Sequence, residues 1–109
     1  MEKYINDEGK VGVLISPCYG GGWSTEIATK NSAFYAMDKG LVELKLKDAS
    51  CHEVEKYIQR KRRKNEYGLP FGWKDATVEW LKPGTVFIVK EYDGYESLCL
   101  DEDILKMTA

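Results

Sequence analysis

The sequence predicts a single small α+β domain over residues 1–109, with a mixed sheet of about five strands, two helices on one face and a C-terminal β-meander. Three observations carry this. A chain of 109 residues has the size of one domain. Apolar runs of strand length alternate with stretches of helical period in the first two thirds. The last third holds three strand-like segments separated by tight-turn residues. No repeat, low-complexity stretch or Pro/Gly/Ser linker divides the chain.

The elements follow in order. Val11-Gly12-Val13-Leu14-Ile15-Ser16, ended by Pro17, reads as a buried strand because it is apolar throughout and rich in β-branched residues. Cys18 to Trp23 is a loop with three successive glycines. Ser24 or Thr25 is suited to cap a helix running to about Met37, with Gly40 as its stop. Leu41 to Lys47 alternates, with Val42, Leu44 and Leu46 against Glu43, Lys45 and Lys47, which predicts a half-buried strand. Ser50 and Glu53 form a capping box opening a helix to roughly Lys64 that buries Val54, Tyr57 and Ile58. Gly68 to Trp73 is a loop.

Ala76 to Leu81 is a strand, Lys82-Pro83-Gly84 a turn and Thr85 to Tyr92 a strand. Asp93-Gly94 marks a two-residue hairpin turn, and Tyr95 to Leu100 returns. Counting outward from that turn pairs Tyr92 with Tyr95, Glu91 with Glu96, Lys90 with Ser97 and Val89 with Leu98. Phe34, Tyr57, Trp80 and Phe87 fall at core-facing positions, whereas Trp73, Tyr92 and Tyr95 are harder to bury.

Composition excludes several classes of function. At 43% hydrophobic and 31% charged residues the chain is neither disordered nor membrane-spanning, since no apolar stretch approaches ~20 residues. The amino terminus is charged from Glu2 and lacks the apolar segment of a secretory signal, so a cytoplasmic location is expected. Three scattered cysteines, Cys18, Cys51 and Cys99, suit reduced thiols better than a disulfide framework. With the lone His52 they lack the local pairing of a zinc site, so no metal is expected. The net charge of −2 combines +2 over residues 48–75 with −4 over residues 76–109, which argues against duplex-DNA binding.

Three features carry chemistry. Glycines at a strand-to-helix reversal expose N–H donors, so Gly20, Gly21 and Gly22, with the Ser24 and Thr25 hydroxyls, make an anion seat; Trp23 offers a stacking face. The same glycines also serve a tight reversal with Trp23 plugging the core. Neither G-K-[ST] nor G-x-G-x-x-G is present, so no cofactor is implied. Glu91 and Glu96 face each other across the hairpin, and like charges so placed need a base, a metal, a shared proton or a ligand donor. The solvated hairpin tip is the plainer explanation. Arg60 and Arg63 belong to a run of five cations at a helix end, suited to phosphate as well as to the helix dipole.

Two segments carry a resemblance. Ile15 to Thr25, centred on Tyr19-Gly20-Gly21-Gly22-Trp23-Ser24-Thr25, and Glu91-Tyr92-Asp93-Gly94-Tyr95-Glu96-Ser97 resemble a group of short bacteriophage and prophage accessory proteins with a G-x-G-x-G-W-S-T loop and an E-Y-D-G-x-E-S hairpin. Cys18 stands where that pattern has glycine, and Glu26 where it has an aromatic. The resemblance implies a small viral accessory protein in the host cytoplasm and brings no established activity with it; action against a host defence is expected by association with phage accessory proteins of this size.

The resulting expectation is a homo-oligomeric binding protein for a small phosphorylated or nucleotide-like ligand, which would sequester a host immune signal. Gly20, Gly21, Gly22, Ser24 and Thr25 would hold the phosphate, Trp23 or Trp73 the base, Arg60 or Arg63 the charge, and Glu91 and Glu96 the sugar or base donors. The alternative is an inhibitor that binds a host defence protein through the acidic hairpin and exposed aromatics. A small metal-dependent hydrolase using Glu91 and Glu96 ranks third, because no complete catalytic constellation can be assembled.

Overall fold

The computed structural model describes residues 1–19, 22–24, 32–62, 71–100 and 107–109. Its centre is β1 (Val11–Ile15), whose five residues are all buried. Both faces of the strand are covered, which is why its sequence does not alternate. Leu14 faces a cluster with Trp23, Tyr35, Leu41, Val42, Val54 and Trp73. Val11, Val13 and Ile15 face a second cluster with Ala36, Met37 and Phe87.

The α+β class is present, with a different sheet arrangement from the one expected. Among the described residues there are two antiparallel sheets in place of one mixed sheet. β1 pairs with β2 (Thr77–Leu81), from Val11 opposite Leu81 to Ile15 opposite Thr77. β3 (Val86–Tyr92) lies between β4 (Tyr95–Cys99) and the two-residue β5 (Met107–Thr108). The expected meander therefore reduces to the β3–β4 hairpin, because β2 pairs with β1 and not with β3. The split follows from β1: a strand apolar on both sides needs a separate layer on each, and turning at Lys82-Pro83-Gly84 delivers β3 to the far one.

Three helices occur among the described residues. α1 (Ser32–Met37) ends at Asp38, whose extended backbone breaks the helix and caps α2 (Lys39–Leu46). The Asp38 carboxylate accepts from the Leu41 N–H at 3.2 Å. The strand expected over Leu41–Lys47 is thus a helix. Alternation over seven residues is weak evidence against good helix formers preceded by an aspartate cap. Leu46, which a strand would bury, is exposed. Gly40 lies inside α2 and does not stop α1; a Cβ there would come within 2.1 Å of the Tyr57 hydroxyl oxygen.

α3 (Cys51–Arg62) begins as expected, the Glu53 N–H donating to Ser50 Oγ at 3.3 Å. It buries Val54 and Ile58 and half-buries Tyr57. With α2 it covers the Leu14 side of β1, while α1 contributes Tyr35 to that side and Ala36 and Met37 to the other. Phe87 is fully buried as expected, and Trp80, half-buried, packs on Tyr4 at 5.8 Å between ring centres. Trp73 departs from expectation by lying in the core. No helix among the described residues is long and apolar enough to cross a membrane.

The Tyr57 hydroxyl donates to Asp38, tying α3 to the cap of α2. Burial, this hydrogen bond and the Asp38 charge together raise its pKa above the usual tyrosine value. A proton held more tightly in the folded state stabilises fully below the unfolded pKa of ~10 and is lost as pH rises beyond it. Urea denaturation across pH 8–11 is expected to give a stability that falls above pH ~10, with a shallower fall in Tyr57→Phe.

Candidate functional site

The site is the end of the molecule where the chain leaving β1 meets the β3–β4 hairpin. Ser16 closes β1, and the Cys18 N–H turns back onto its carbonyl at 2.9 Å. β4 runs alongside, the Glu96 N–H donating to the same Ser16 carbonyl at 2.9 Å. The Glu96 side chain answers in the opposite sense. Its Oε1 accepts from the Ser16 N–H and its Oε2 from the Trp23 N–H, each at 2.9 Å. Glu96 has 0% of its surface exposed. The glycine loop does receive an anion at the Trp23 N–H, and that anion is the protein's own carboxylate.

The register explains how Glu96 reaches the loop. Asp93 and Gly94 both have positive φ, 50° and 84°, as a type I′ turn requires. Glu91 then sits opposite Glu96, as counting predicts, with Tyr92 opposite Tyr95. The two carboxylates take different donors. Glu96 turns inward to two backbone donors, while Glu91 stays exposed and accepts from the Gly94 N–H at 2.6 Å. Like charges facing across the ladder are relieved by diverging.

The loop is anchored from below by aromatics. Trp23, 0% exposed, donates its indole N–H to the Tyr35 carbonyl, with its ring centre 5.6 Å from Tyr35 and 5.3 Å from Trp73. Trp73, 3% exposed, donates to the Ala49 carbonyl at 3.3 Å. Lys45 donates to the Trp73 carbonyl and holds its ammonium 4.4 Å from the centre of that ring. Burial lowers the Lys45 pKa, against the opposing pull of Asp48, Cys51 and Asp75. The Gly72 N–H donates to the Gly22 carbonyl at 2.7 Å. A Cβ on Gly72 would lie 2.3 Å from that carbonyl oxygen, so no larger residue fits there. Ser16 Oγ and Ser24 Oγ are buried without a hydrogen-bond partner among the described residues.

Of the residues singled out from sequence, Gly22, Trp23, Trp73 and Glu96 come together, with Ser24 next to Trp23. Glu91 stands at the exposed tip. Arg60 is exposed on α3, where its charge acts on Tyr57. Gly20, Gly21, Thr25 and Arg63 lie outside the described residues. Both tryptophan rings that a base would need are packed inside the core.

The structure adds Tyr19 to the hairpin tyrosines that the sequence marks as hard to bury. Tyr19, 66% exposed, lies 5.0 Å from Tyr95 and 6.4 Å from Tyr92 between ring centres, and Tyr92 is 77% exposed. Loop and hairpin thus carry one exposed tyrosine platform. The Asp75 charge beside Cys18, with burial and a hydrogen bond between the two side chains, raises the thiol pKa, which disfavours a reactive thiolate. No group of three or more His, Cys, Asp or Glu among the described residues is placed to hold a metal.

No family model, curated protein or solved structure matches the chain. Whatever this end of the molecule does must therefore be read from its own geometry.

Replacing Glu96 by alanine strands two buried N–H donors, at about 1–3 kcal/mol each. Urea denaturation should find Glu96→Ala less stable by about 3 kcal/mol or more, with Glu96→Gln losing roughly half as much because its amide oxygen still accepts. Gly72→Ala is expected to cost about 2–3 kcal/mol by forcing the Gly22 carbonyl away, measured in the same way.

Proposed function

We propose that this chain is a binding protein rather than an enzyme, and that it engages a protein partner through the tyrosine platform at its loop–hairpin end. One observation carries the reading: Tyr19, Tyr92 and Tyr95 are exposed, the Tyr19 ring lies against both of the others, and they come from two separate segments. Exposed aromatics gathered in one place are what interface centres are made of. A rigid mount under them favours recognition by limiting the entropy lost on binding, and the Glu96 clasp supplies one. In the phage-type setting that the loop and hairpin motifs suggest, the partner is a host defence protein and the outcome is inhibition.

A second reading, a phosphorylated or nucleotide-like ligand on the glycine loop, draws support from the buried, unpartnered hydroxyls of Ser16 and Ser24. To use the Trp23 N–H such a ligand would have to displace Glu96. The protein-binding reading leaves that contact in place.

Panning a random-peptide display library against the full chain separates them. The protein-binding reading expects peptides whose retention is lost in a Tyr19→Ser/Tyr92→Ser variant of unchanged melting temperature, and no thermal shift with a nucleotide panel. Peptides indifferent to both tyrosines, together with a melting temperature raised by a nucleotide, would contradict it.

A further inference from the structure

We infer that β2 is the docking edge for a second copy of this chain, the two β2 strands pairing antiparallel about a two-fold axis. The residues that carry this are not those of the tyrosine platform. The Gly12 N–H donates to the Tyr4 carbonyl, and the Lys10 carbonyl accepts from the Asn6 N–H. Backbone groups alternate in direction along a strand, so Val11, Val13 and Ile15 turn theirs toward Leu81, Glu79 and Thr77 of β2. On β2 the N–H and C=O groups of Val78 and Trp80 therefore point away from β1. They meet no backbone partner among the described residues, where β1 and β2 form a sheet of two strands. The far side of β1 is taken, by Tyr4 and Asn6 and, at Ser16, by Glu96.

Side chains leave this edge bare. A Cβ on Gly12 would lie 3.1 Å from the Trp80 ring and 3.2 Å from Val78 Cγ1. Both side chains thus lean inward over β1, and Trp80 reaches across it to Tyr4. The ladder runs through five pairs without a bulge, and β2 holds no proline or lysine, the usual guards of an edge. Its one charge, Glu79, selects the register. An axis through Glu79 would set two carboxylates face to face. An axis through Trp80 would set Glu79 against Leu81 of the copy and Val78 against Lys82, whose carbonyl already accepts from the Thr85 N–H. An axis through Val78 sets Thr77 against Glu79, a hydroxyl donor facing a carboxylate, and small Ala76 against Trp80. Both pairs occur twice, once on each side of the axis. Such an isologous contact closes on itself and gives a dimer rather than a filament.

Sedimentation equilibrium of the full chain, from micromolar to millimolar, is the test, and a dimer of the 12.5 kDa chain is expected. Val78→Pro removes an outward N–H and leaves the bonds to β1 in place, so it should weaken the dimer roughly tenfold or more with an unchanged circular-dichroism spectrum. Thr77 is exposed, so its substitutions do not depend on refolding the core. Thr77→Glu, facing Glu79 of the copy, should weaken the dimer severalfold, and Thr77→Lys should tighten it by a similar factor. A chain monomeric throughout would overturn the inference, as would a dimer indifferent to Thr77 or one abolished by Tyr92→Ser. So would a monomer whose panned peptides are lost on Val78→Pro, which would give the edge to a foreign strand.

Discussion

A carboxylate with no exposed surface has to find hydrogen-bond donors inside the protein, and Glu96 finds two on segments that are otherwise separate. One is the Ser16 N–H at the end of the central strand; the other is the Trp23 N–H beyond the glycines. Around this clasp the other contacts fall into place. Trp23 is held over Tyr35 and Trp73, Gly72 closes on Gly22, and Tyr19 is brought against Tyr92 and Tyr95. Glycine is needed where Gly72 meets the loop because two backbones approach there more closely than a side chain permits.

Much of the fold was legible in the sequence where local chemistry alone decides. Asp93-Gly94 dictates its turn, and the turn dictates the register of the whole hairpin by counting. The Ser50–Glu53 cap gives the start of α3. What was not legible depends on contacts between distant segments. Leu41 to Lys47 carries a strand-like alternation too short to outweigh the Asp38 cap, and Asp38 reads as a cap only once α1 is known to end there. That β1 is covered on both faces, and hence that the strands divide into two sheets, is a property of packing that a buried apolar run leaves open.

The candidate site was legible in a similar, partial way. Counting placed Glu91 opposite Glu96 and raised the question of what relieves the repulsion. The answer, an internal anion seat, combines two features that the sequence presents 73 positions apart. Glycine-loop physics marks backbone donors that an anion can meet, and at the Trp23 N–H the acceptor is the Glu96 side chain. The tryptophans were ambiguous for a related reason: an aromatic beside glycines serves equally to stack a base or to fill the core, and burial distinguishes the two. Nothing local to Tyr19 marks it, because its ring meets the hairpin tip only in the fold.

Glu96 takes the Trp23 N–H beside the glycines, and the recognition surface proposed above lies outward at the tyrosines. Amide hydrogen exchange at Ser16 and Trp23, measured by NMR with and without millimolar phosphate, tests this most directly. Both amides should exchange slowly, and phosphate should leave their rates and chemical shifts unchanged. A fast-exchanging Trp23 amide that phosphate protects and shifts would mean that the loop is an open anion site, and the account would be wrong.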